Sequence, residues 1–291
     1  MQIRKTTKLN LDSRLPLTCT RIGTCCHGNQ VLVNPWELYF ISKKKNITPK
    51  QFRDLYCDFG GIRLKFNGNK DTRGKKACSQ YVDNFGCSVH LGRPLACRLF
   101  PLGRQIQNNK VNYIHEGDSF PCLDGCSEVL NLPKLSVGEY IEGQQTKTHE
   151  SAQDAYLEVM QNLADIGFEL LLDSGLSESG DTKTLQMWRV MSTEEPDLLV
   201  KRIGAEWMDY LLIPKITVND NDSILFIERH NELLQFEIQD KFSEIKTMQE
   251  FHKASLTVMG LAIHLARATG ANPEYLTEYW IETAKEFGAN E

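Results

Sequence analysis

Residues 86–103 read GCSVHLGRPLACRLFPLG. Two thiols, Cys87 and Cys97, stand on either side of a Gly92-Arg93-Pro94 turn, and the stretch closes on Phe100-Pro101. Segments this short and turn-rich bury little apolar surface, so cross-links through a metal would supply what a small core cannot. The other cysteines lie nearby: all nine (Cys19, Cys25, Cys26, Cys57, Cys78, Cys87, Cys97, Cys122 and Cys126) precede residue 127. In a reducing compartment such clustering points to metal ligation or redox chemistry rather than to disulfides.

The chain of 291 residues has the balance of apolar and charged residues of a globular protein, and is long enough for one large or two ordinary domains. The most apolar run, Ala254 to Ala266, is shorter than a membrane span and broken by Thr257 and His264, so no membrane association is expected. The first residues, MQIRKTTKLNLDSRLP, lack the apolar run of a secretory signal, and a cytoplasmic location is expected. Charge is lopsided. Residues 1–135 carry 21 Lys+Arg against 10 Asp+Glu, a net +11, whereas residues 136–291 carry a net −16. A basic half raises the question of nucleic acid. Ligating cysteines are thiolates, however, and eight of them would cancel most of the surplus, so a nucleic-acid partner is not expected.

The pattern along the chain predicts an α+β protein: a small cysteine-rich, metal-stabilised domain with capped helices and short hairpins over residues 1–135, then an all-α helical domain over residues 145–291. Asn34-Pro35-Trp36-Glu37 and Thr48-Pro49-Lys50-Gln51 each offer a cap, a first-turn proline and a side chain placed to close a capping box. Helices are therefore expected from there to about Lys44 and to Cys57 or Asp58. Between Ile62 and Glu116 short strands are expected at 62–66, 77–82 with 87–90, and 104–107 with 111–115, followed by a loop over 120–126 and an exit over 131–137. Beyond His149 the texture is helical. Ala152, Tyr156, Val159, Leu163, Gly167 and Leu170 make one apolar face. A loop is expected at 176–181, with helices over 195–212, within 219–246, over 251–268 as the centre of the helical core, and from Asn272-Pro273 to about Phe287.

The cysteines fall into three groups: Cys19 with Cys25-Cys26, then Cys78, Cys87 and Cys97, then Cys122 with Cys126. Eight thiols allow two four-sulfur sites, as two zinc ions, an iron–sulfur cluster plus a zinc, or two clusters. Neighbouring Cys25 and Cys26 are expected to point their sulfurs apart, which suits two adjacent sites, or one site and a core contact, better than a single shared metal. Cys57, on the apolar side of a capped helix, reads as a small core residue. Arg93 and Arg98 are candidates to bind a cofactor or an anionic substrate, or to offset thiolate charge. His27, His90 and His115 lie close in sequence to the cysteine groups. Trp36 and Tyr39 read as core, and no Ser-His-Asp arrangement or phosphate loop is visible.

Residues 19–103, above all TCCHG and then GCSVHLGRPLACRLFP, resemble the zinc- or iron-chelating cysteine-cluster family often called YkgJ-like, which includes flagellin lysine N-methylases. The family pattern opens C-x2-C-G-x-C-C, whereas this chain places Ile22 at the second cysteine, with Cys122 or Cys126 as a substitute. The resemblance covers about a third of the chain and implies a metal or iron–sulfur centre. In the methylase members it also implies a protein-lysine substrate and S-adenosylmethionine. No Gly-rich strand-to-helix turn that would hold such a donor is visible here. Two readings follow: an iron–sulfur redox or protein-modifying enzyme, or a non-catalytic zinc-stabilised module whose acidic half binds a basic protein partner.

Overall fold

The structure, a computed structural model, describes residues 6–19, 23–107, 110–117, 123, 127–173, 182–219 and 222–289. Its strands are β1 (Thr6–Leu9), β2 (Arg14–Leu15), β3 (Cys57–Asp58), β4 (Arg63–Leu64), β5 (Tyr81–Val82), β6 (Gly86–Cys87), β7 (Gly103–Gln107), β8 (Lys110–Glu116) and β9 (Leu135–Ser136). Its helices are α1 (Pro35–Lys45), α2 (Pro49–Tyr56), α3 (Leu95–Leu99), α4 (Val137–Gly143), α5 (Lys147–Asp173), α6 (Thr182–Thr193), α7 (Pro196–Ile203), α8 (Ala205–Leu212), α9 (Ser223–Phe242), α10 (Met248–Ala268) and α11 (Pro273–Glu286). The protein is thus mixed, with small antiparallel sheets toward the N-terminus and an all-helical C-terminal region. It divides into two compact units. One comprises Met1–Val31, Ile41–Ile47 and Leu64–Glu150; the other comprises Leu32–Phe40, Thr48–Arg63 and Ser151–Glu291.

In the first unit β1, β8 and β7 form an antiparallel sheet, with Leu9 opposite Tyr113 and Gly103 opposite Ile114. The strand β1 was not anticipated. The 131–137 stretch, expected as an exit, returns to the unit through β9, which pairs with β2, placing Arg14 opposite Ser136. Ser136 then caps α4 through a complete capping box with Glu139. These contacts gather a small core of Leu17, Leu102, Val137 and Tyr140, flanked by Leu9, Leu15, Tyr113 and Leu135. The expected strands at 77–82 and 87–90 contract to β5 and β6. Asn84 and Gly86 take positive φ to turn the hairpin, and residues 90–92 coil into a 3-10 turn. The strand expected at 62–66 likewise contracts to β4.

The second unit is built around α10, in which Val258 to Ala268 is buried without a break. Ala152, Tyr156, Val159 and Leu163 of α5 are buried as the periodicity predicts, with Leu171 rather than Leu170 completing the face. Ser255 Oγ donates to Gly167 O at 2.7 Å, joining α5 to α10 where the glycine lets the backbones approach. The helix expected over 195–212 is broken in two at Gly204, whose φ of 101° and ψ of 151° interrupt the helical backbone. Helix α6 was not anticipated. The single helix over α9 was, and all three proline-led caps, at Asn34, Thr48 and Asn272, form as predicted. The loops expected at 120–126 and 176–181 lie outside the described residues, except position 123. No described helix is long and apolar enough to cross a membrane.

Candidate metal centre

The first unit converges on its cysteines one backbone contact at a time. Gly23, with φ 85°, opens a 3-10 turn over Thr24–Cys26; a Cβ there would stand 2.5 Å from the Tyr81 ring, so the turn needs glycine on both counts. Cys26 N–H donates back to Gly23 O at 2.8 Å, and Cys78 N–H donates to Cys26 O at 2.7 Å. The His27–Ala77 bridge extends this docking, which fixes Cys78 beside the Cys25-Cys26 turn. From there Tyr81 N–H reaches Cys78 O at 2.9 Å, and the β5–β6 hairpin sets Cys87 directly opposite Tyr81. The chain then crosses the Gly-Arg-Pro turn into α3, which carries Cys97.

Arg98 clamps that crossing. It is buried, and its guanidinium donates to three backbone carbonyls: Arg93 O at 2.9 Å, Leu91 O at 2.7 Å and Gln144 O at 2.7 Å. The sequence offered Arg98 as a cofactor-binding residue. In the structure it holds the turn between Cys87 and Cys97 to the end of α4.

Two cavities, of about 160 and 150 Å³, meet at this point. Cys25, Cys26, Cys87 and Cys97 line both, together with Arg93 and Phe100, so these residues form the wall between them. Cys78 lines only the inner cavity and Cys19 only the outer one. The sulfurs of Cys25 and Cys26 are 3.9 Å apart. This corrects the expectation that they diverge: the tight Thr24–Cys26 turn leaves the two sulfurs together. Ligands 2.3 Å from a tetrahedral zinc stand about 3.8 Å from one another, so the pair is spaced to share one ion. These six thiols are gathered but not drawn into a shell; among the described residues no three Cys, His, Asp or Glu side chains form a metal-holding group.

The hydrogen bond from Cys26 lowers the Cys25 thiol to about 7 against the effect of burial, helped by the Arg93 charge. The same bond, with burial and the surrounding thiols, raises Cys26. Burial pushes Cys78 up to about 11, raises Cys87, and raises Cys97 well above its ordinary value. A metal ion would replace these protons, since thiolate is the ligating form and a divalent cation relieves the crowding of negative charge.

The other sequence candidates are dispersed. Cys57 is buried in the second unit, as a core residue. His90 lines the outer cavity. His27 bonds Gly23 O through Nδ1 at 2.9 Å and meets the Tyr81 ring edge-on, while His115 is buried in β8. Ile22, Cys122 and Cys126 lie outside the described residues. Gln144 and Tyr140, absent from the sequence reading, line the outer cavity from α4 and its end. Nothing in their local sequence marks them, because only the fold brings them to the cysteines.

Residues 18–116 match the CxxCxxCC family model, described as a "Putative zinc- or iron-chelating domain". The match takes in Cys19 through Cys97, about a third of the chain, and agrees with the cysteine-cluster resemblance and with metal chelation by this segment. No curated protein and no solved structure matches the chain.

Proposed function

We propose that residues 18–116 hold one zinc or iron ion through Cys25, Cys26, Cys87 and Cys97, with Cys78 as a fifth thiol on the inner side. The observation that carries this reading is the shared wall. The same four cysteines face both cavities, and two of their sulfurs already stand at the spacing of a single tetrahedral ion. Four thiolates on a divalent ion leave a double negative charge, which Arg93 offsets at Cys25, Cys87 and Cys97 and Lys45 at Cys87. In a four-iron cluster each cysteine caps its own iron, so the Cys25–Cys26 spacing favours a mononuclear ion, or one iron of a two-iron cluster.

The outer cavity favours a second step in the reading, that the centre serves a metal-dependent modifying enzyme of the lysine N-methylase kind. A purely structural four-thiolate zinc needs no adjoining chamber, whereas a reacting centre needs room for a substrate beside it. Anaerobic purification with iron, zinc and sulfide analysis separates the readings. Iron with sulfide and a brown chromophore supports a two-iron cluster, and iron without sulfide a mononuclear centre. A colourless protein with one zinc and no retention of S-adenosylmethionine on dialysis supports the non-catalytic module. A protein that purifies without metal and takes up none on reconstitution overturns the proposal.

A further inference from the structure

The outer cavity has a one-sided set of polar groups. Among the described residues, Arg93 is the one arginine or lysine on its wall. Arg93 Nε donates to His90 O at 3.0 Å and Nη2 to Gln144 Oε1 at 3.0 Å. Among the described residues no carboxylate pairs with Arg93, and its Nη1 has no acceptor. A guanidinium carries donors only, which settles the orientation of the Gln144 amide: Oε1 faces Arg93, and Nε2 is a second donor without a partner among the described residues. The backbone of Gln144 is fixed too, its carbonyl accepting from Arg98 at 2.7 Å and its N–H donating to Tyr140 O at 2.9 Å. Two donors thus stand side by side on a wall that also carries the apolar side chains of Leu17, Phe85, Phe100 and Val129, with Phe85 largely exposed.

We infer that the outer cavity binds a carboxylate with an apolar body, Arg93 and Gln144 taking the carboxylate and the four apolar side chains taking the body. An ionised carboxylate only accepts hydrogen bonds, so it satisfies both free donors at once, and its charge meets Arg93, which no carboxylate pairs with among the described residues. A neutral amide of the same shape brings an NH2 group against a donor. The competing role for Arg93 is that of a counter-charge to the thiols of Cys25, Cys87 and Cys97. That role gives no reason to discriminate between an acid and its amide. This inference rests on the proposed metal centre only in taking the cysteine wall as loaded.

The test is isothermal titration of the full-length, zinc-loaded protein with 3-phenylpropanoate and with 3-phenylpropanamide, metal content being measured in the same samples. The acid is expected to bind at least about tenfold tighter than the amide, the scale of one charge-assisted hydrogen bond. Compared at equal zinc loading, Arg93→Gln should erase that preference, Arg93→Lys should keep part of it, and Gln144→Leu should weaken the acid alone. A second pair of probes, an acetylated peptide ending in phenylalanine with its terminus free or amidated, distinguishes a polypeptide terminus from a small acid as the source of the carboxylate. Equal affinity for acid and amide, no binding of either, or an Arg93→Gln protein that loses zinc but keeps the acid preference would each overturn the inference. Metal stoichiometry reports separately on the centre itself.

Discussion

Replacing Arg98 by methionine removes the clamp on the Cys87–Cys97 turn while keeping most of the side-chain volume. The guanidinium makes three hydrogen bonds of 2.7–2.9 Å to carbonyls at residues 91, 93 and 144, in a site where the side chain is almost wholly buried. Hydrogen bonds to a charged group contribute about 1.5–3 kcal/mol each, but a loosened turn lets water reach some of the carbonyls, so the expected loss is about 3–5 kcal/mol. Lysine is expected to fare nearly as badly, because one ammonium on a flexible stem cannot span three carbonyls that a planar fork reaches. Urea unfolding of the metal-free protein gives the stability, and competition with a chromophoric zinc chelator gives the metal affinity. Both should fall together in Arg98→Met, since the turn sets the distance between two ligands. An Arg98→Met protein within about 1 kcal/mol of the parent would refute the clamp.

Two predictions concern the helical unit. His230 is buried, donating from Nε2 to Tyr210 O and accepting from Tyr156 OH at Nδ1; His264 is buried and donates to Gly60 O. Burial lowers each from 6.5 to about 4, so the unfolded chain binds more protons between those values and stability falls as pH drops through that window. Each histidine accounts for at most about 3 kcal/mol, and urea midpoints at pH 7.5 and 4.5 should differ accordingly, with the gap narrowed in His230→Gln; a pH-independent midpoint contradicts this. Gly260 in α10 leaves no room for a side chain, since a Cβ would meet Ile203 Cδ1 at 2.8 Å and Cγ1 at 2.9 Å. Gly260→Val is expected to destabilise by about 2–3 kcal/mol in the same assay, and an unchanged midpoint would show that α7 yields freely.

The parts of the fold visible in the sequence are those set by local chemistry. Cap-then-proline devices at Thr48 and Asn272, and the apolar run of α10, declare themselves within a few residues. Pairings across long separations do not: nothing in Arg14–Leu15 announces a partner at Leu135–Ser136, and the break at Gly204 sits in a stretch whose periodicity continues on both sides. The same division holds at the centre. Residue type and spacing identify the cysteines, but the approach of the Cys25 and Cys26 sulfurs depends on the tight Thr24–Cys26 turn, and the use of Arg98 depends on carbonyls brought from 91, 93 and 144. Two arginines five residues apart thus read alike in sequence and differ in the structure, one lining the cavities and the other holding the frame.

The central claim is that thiols from separate segments hold one ion together. Metal content per chain, measured on anaerobically purified protein alongside Cys25→Ser, Cys97→Ser and Cys57→Ser, tests it most directly. One equivalent of zinc or iron in the parent and in Cys57→Ser, with loss in Cys25→Ser and Cys97→Ser, is the result the account predicts. Full metal retained by both Cys25→Ser and Cys97→Ser would contradict it.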